Sequence, residues 1–99
     1  MTAIKHHQHG PNAYTIQIST GTNGIIIGFS YQTPVAFTAD GKDVASETLW
    51  GTTTGKHINQ FAPLVKPKDR LSREVFEAAL SDALERAFAG IHSDTITPR

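Results

Sequence analysis

Tyr14, Ile16 and Ile18 alternate with Thr15, Gln17 and Ser19, the period of a strand that buries one face. The segment Thr20-Gly21-Thr22-Asn23-Gly24 supplies turn chemistry, because Asn and Gly tolerate positive φ. A second strand is predicted over residues 25–31, with Ile25, Ile27, Phe29 and Tyr31 on one face and Ile26, Gly28 and Ser30 on the other. Gly28 marks a bulge or a close backbone approach. Thr33-Pro34 is expected to interrupt the ladder, since proline donates no hydrogen bond. A third strand follows over residues 35–38, and Asp40-Gly41 is the strongest short hairpin signal in the chain, returning a fourth strand over residues 44–49.

Beyond Trp50-Gly51 and the run Thr52-Thr53-Thr54, residues 55–61 read as a short helix capped by Thr53 or Thr54 and ended by Pro63. The one strongly periodic helix spans residues 72–89, with Asp69 or Ser72 as N-cap and Gly90 as stop. Its Val75, Phe76, Ala79, Leu80, Ala83, Leu84, Ala87 and Phe88 form an apolar stripe. The pattern predicts an α+β fold: an antiparallel sheet of three or four strands, a short helix after Trp50 and a long C-terminal amphipathic helix packed on one sheet face. Residues 1–12 are polar and end in Gly10-Pro11-Asn12, so they read as a flexible head, with one domain over residues 13–90 and a flexible tail over residues 91–99.

Composition narrows the function classes. Ninety-nine residues make one domain with one modest core. With no cysteine there is no disulfide framework, thiolate metal site or cysteine nucleophile, and a reducing compartment fits. Nine Lys plus Arg balance nine Asp plus Glu, so the chain lacks the positive field of a protein held to duplex DNA by phosphate contacts. No apolar run is long enough to span a bilayer, and the expectation is a soluble, cytosolic protein without a membrane partner.

Candidate chemistry is sparse. Gly51-Thr52-Thr53-Thr54-Gly55-Lys56-His57 has three residues between its glycines where the Walker loop has four, and His57 stands where that loop has Ser or Thr. What survives is an anion site built from Thr53, Thr54, Gly55, Lys56 and His57 at a helix N-terminus, weighed against a threonine that merely caps the helix. His6, His7 and His9 invite a metal, but no Asp or Glu occurs in the first 39 residues to complete a site, and no metal or cofactor is expected. His57 and His92 lie in no motif that supplies a serine and a carboxylate, so no catalytic residue is assigned. Lys66, Lys68, Arg70 and Arg73 cluster in sequence, and positive charge at a helix N-terminus opposes the macrodipole. Such a cluster suits phosphate or an acidic protein surface, or is simply a solvated linker.

Two segments, Ser30-Tyr31-Gln32-Thr33-Pro34-Val35-Ala36-Phe37 and Trp50-Gly51-Thr52-Thr53-Thr54-Gly55-Lys56-His57-Ile58-Asn59, resemble a group of small proteins of phages and other mobile elements. That group, of undetermined function, carries an S-Y-x-T-P-V-A strand followed by an aromatic residue, a Ser/Thr run and a K-H-I-N helical turn. Gly51 and Gly55 depart from the serines expected there. The resemblance implies phage context, the host cytoplasm and a β-rich core. By analogy with phage inhibitors of host defence, the expected function is non-enzymatic binding and inhibition of a host protein such as a defence nuclease, in the manner of an anti-CRISPR. A nucleic-acid, nucleotide or anion-binding module is the alternative. Tyr31, Trp50, Arg70 and Arg73 are the expected partner-binding residues, since Trp, Tyr and Arg dominate interface hot spots.

Overall fold

The computed structural model describes residues 2–20, 23–47 and 52–95, with the side chains of residues 3–19, 24–47 and 53–88. Five strands form one antiparallel sheet in the order of the chain: β1 (Thr2–Gly10), β2 (Ala13–Thr20), β3 (Asn23–Ser30), β4 (Thr33–Ala39) and β5 (Lys42–Ala45). Helix α1 (Thr52–Phe61), a 3-10 turn (Pro67–Asp69) and helix α2 (Arg73–Thr95) follow. The α+β class and antiparallel pairing agree with the sequence pattern, while the strand count exceeds the three or four expected.

The extra strand comes from the segment read as a polar head. Thr2–Gly10 pairs with β2, with Ile4 opposite Ile18 and His6 opposite Ile16, so Gly10-Pro11-Asn12 belongs to a hairpin and not to a domain boundary. β1 is an edge strand, and Ile4 remains 68% exposed. A strand so placed has little need of the apolar alternation by which strands are recognised. The Asp40-Gly41 turn behaves as predicted, with φ of 54° and 73°, the backbone of a two-residue hairpin closed by the Ala39–Lys42 pair. That tight turn starts β5 at Lys42, two residues earlier than expected. Pro34 lies within β4 opposite Phe29. The break falls one residue later, where Val35 is the extra residue of a bulge between the Gly28–Ala36 and Phe29–Pro34 pairs.

The two helices cover opposite faces of the sheet. On one face Ile18, Ile25, Ile27 and Phe37 meet Phe76, Leu80, Ala83 and Ala87 of α2. On the other, Val35, Ala36 and Ala45 meet Ile58 and Ala62 of α1 and the turn after it. Ser72 caps α2 through its hydroxyl, which accepts from the Val75 N–H at 3.4 Å. The apolar stripe of α2 is narrower than predicted: Val75 and Phe88 are 52% and 39% exposed, on the flanks of the buried line. Gly90 does not end the helix, which runs to Thr95. Glycine in a helix costs only about 1 kcal/mol, and no proline follows until Pro98.

Candidate functional site

The two sequence segments singled out above converge at one end of the sheet. Ser30 ends β3, and its hydroxyl shares a 2.6 Å hydrogen bond with His57 Nδ1 and lies 3.3 Å from Thr54 Oγ1. Ser30 and Thr54 are 2% and 5% exposed. A serine hydroxyl has one proton, so when it donates to Thr54, Nδ1 of His57 must supply the other. This buried polar cluster ties the first turns of α1 to the end of β3. One turn further along the helix, the Phe61 ring leaves no room for a Cβ on Gly28 of β3, where an added carbon would sit 2.5 Å from it.

Tyr31 follows directly, at the first position of the two-residue β3–β4 turn, with φ of 58°. Its N–H donates to the Asn12 carbonyl at 2.7 Å, which locks this turn to the β1–β2 turn. Its ring is 50% exposed and lies 6.1 Å from the His57 ring. Positive φ places Cβ against the backbone and costs an L-residue roughly 1–2 kcal/mol, which glycine avoids.

The other expected site residues have structural work. Arg73, the first residue of α2, donates to the Pro34 carbonyl at 2.9 Å, pairs with Glu77 at 3.4 Å and lies 5.0 Å from the centre of the Phe76 ring. Its side chain is only 16% exposed. The positive charge that opposes the α2 dipole is thereby explained as a strut between β4 and α2. Arg70 donates to Asn59 Oδ1 of α1 at 2.5 Å, and the adjoining Leu71 backbone bonds to Ala45 and Glu47 beside β5. Lys66 and Lys68 are exposed, so the basic cluster divides into two solvated lysines and two engaged arginines. Trp50 lies outside the described residues.

The threonine run is the first turn of α1 and not a loop. Because the helix begins at Thr52, Thr53 and Thr54 lie inside it, and the N-cap position falls outside the described residues. Of the expected anion-site residues, Thr53 and Lys56 are exposed, Gly55 is half-buried, and Thr54 and His57 turn inward to Ser30. The three N-terminal histidines separate across the sheet. His6 packs against Tyr14, whereas His9 reaches Thr15 Oγ1 at 2.9 Å and the edge of Phe61 on the α1 side. Among the described residues no three His, Asp or Glu side chains gather as a metal site, and no helix is long and apolar enough to cross a membrane.

Sequence reasoning missed Ser30 and Asn12. A signal for Ser30 existed, since it breaks the apolar content of its strand immediately before the turn; nothing local distinguished Asn12. A family model described as a family of unknown function (DUF8033) matches residues 4–78, and the chain belongs to that family. The match starts within β1 and ends in the second turn of α2, so it takes in all of the polar cluster and the Tyr31 turn. No curated protein and no solved structure matches the chain.

Proposed function

We propose that this DUF8033 member is a non-enzymatic module that binds a protein partner through the Tyr31 end of its sheet. The observation that carries the reading is Tyr31 itself: a bulky residue at positive φ, half-exposed, in a turn where glycine would cost less. Backbone strain held in place by a neighbouring turn, with an aromatic ring left facing solvent, is the pattern of a preorganised contact residue. Against an enzymatic reading stands the burial of Ser30, whose hydroxyl meets His57 but has no open approach for a substrate. Against a nucleic-acid reading stands the engagement of Arg70 and Arg73 within the fold. The resemblance to small phage proteins supports a host protein as the partner, with inhibition of a defence nuclease as the outcome and the host cytoplasm as the setting.

The test is affinity capture from bacterial lysate by the wild-type chain and by Tyr31→Ala, which deletes the ring but keeps Cβ. A protein retained by the wild type and lost by a folded Tyr31→Ala supports the reading. Equal retention by both, or submicromolar oligonucleotide binding that falls steeply with salt, contradicts it.

A further inference from the structure

The two edges of the sheet are finished differently. β5, four residues long, is covered: the Leu71 N–H donates to the Ala45 carbonyl at 2.9 Å, and the Glu47 N–H donates to the Leu71 carbonyl at 2.7 Å. β1 is nine residues long, and among the described residues no backbone segment pairs with its outer side. Alternate residues of an edge strand turn their N–H and C=O groups away from the sheet, and that row templates another strand unless proline, a bulge or charge blocks it. From Thr2 to Gln8 the pairing with β2 runs without a shift, no proline occurs, and Lys5 is the one Lys, Arg, Asp or Glu.

This edge suits its own copy. The chain carries no net charge, so two copies do not repel one another at range. A two-fold axis perpendicular to the sheet pairs β1 with itself antiparallel, and it must pass through a residue position, because facing residues share a sheet face. An axis at Lys5 sets two ammonium groups opposite each other, and an axis at Ile4 shortens the overlap to residues 2–6 of the strand. An axis at His6 pairs the whole of Thr2–Gly10, with Lys5 opposite His7 and Ile4 opposite Gln8. It also extends a row of rings on the α2 face, where Phe29 stacks on Tyr14 at 4.9 Å and the exposed His6 ends the row 5.1 Å from Tyr14. We propose that β1 is a dimerisation edge: two copies of this chain join antiparallel through β1 about an axis at His6, making one ten-stranded sheet from two five-stranded ones. The 68% exposed Ile4 is then covered by the second copy's strand. This surface does not use Tyr31 and stands apart from the reading of that turn.

The experiment combines sedimentation equilibrium of the full chain with single introduced thiols, which report the axis because the chain has no cysteine. The wild type should show a mass twice its 10.7 kDa, and His6→Lys, which sets two ammonium groups on the axis, should weaken the dimer roughly tenfold or more without changing the circular dichroism of the fold. Directly opposed Cα atoms lie about 4.5–5.5 Å apart, within disulfide range, so His6→Cys should give a covalent dimer under mild oxidation. Ile4→Cys, about 13 Å along the strand from its copy, should not. A chain that stays monomeric up to millimolar concentration would overturn the proposal and leave the edge to a foreign strand. A dimer that His6→Lys leaves intact, or Ile4→Cys cross-linking as readily as His6→Cys, would overturn it as well.

Discussion

The two faces of the sheet are built on different principles. Under α2, large side chains interlock: Ile25, Ile27 and Phe37 against Phe76 and Leu80, with Phe37 and Phe76 rings 5.7 Å apart. Under α1, the contacts are small, with Gly28, Ala36, Ala45 and Ala62 admitting a close helix, and a buried Ser30–Thr54–His57 cluster stands where apolar packing would otherwise continue. Apolar burial is non-directional and strong per residue, whereas a polar cluster adds little net energy but penalises any other arrangement. The α2 face therefore carries stability, and the α1 face fixes geometry. Tyr31 is held by that geometry, its ring beside His57 and its N–H on Asn12.

The contrast can be broken most sharply on the α2 face. Phe76→Ala removes a fully buried ring and should cost about 3–5 kcal/mol, a large fraction of the stability of so small a domain. Urea denaturation should show a large fall in midpoint; a midpoint near wild type would show that α2 is not the main source of stability. On the α1 face Gly28→Ala should cost about 1–3 kcal/mol through collision with Phe61. Phe61→Ala in the same chain should recover much of that loss, and a double mutant showing simple additivity of the two costs would refute the contact. Ser30→Ala should cost about 1–2 kcal/mol, because Thr54 and His57 Nδ1 are left without their shared partner. A neutral effect in the same denaturation series would mean the cluster is not satisfied through Ser30.

How much of this could be read from the chain follows the same division. The α2 face announces itself through the periodicity of Phe76, Leu80, Ala83 and Ala87, and the Asp40-Gly41 turn through residues with one favoured backbone. The α1 face does not, because small residues and a polar cluster carry no period and their meaning lies in contacts 24 and 27 residues apart. β1 escaped notice because, beyond Ala3 and Ile4, this edge strand places polar residues on both of its faces. Arg73 looked like a free cation at a helix start, when its charge is spent on a carbonyl 39 residues away. The candidate site was half visible: Tyr31, Thr54 and His57 were marked from sequence, but the serine and the asparagine that place them became clear only in three dimensions.

Tyr31→Gly tests most directly whether the strain at this turn serves recognition and not folding. Glycine removes the ring and relieves the positive φ together, so the melting temperature should hold or rise, by up to the equivalent of about 1 kcal/mol, while the partner captured by wild type is no longer retained. A lower melting temperature would make the ring a structural element, and retained binding in the folded variant would place the contact surface elsewhere.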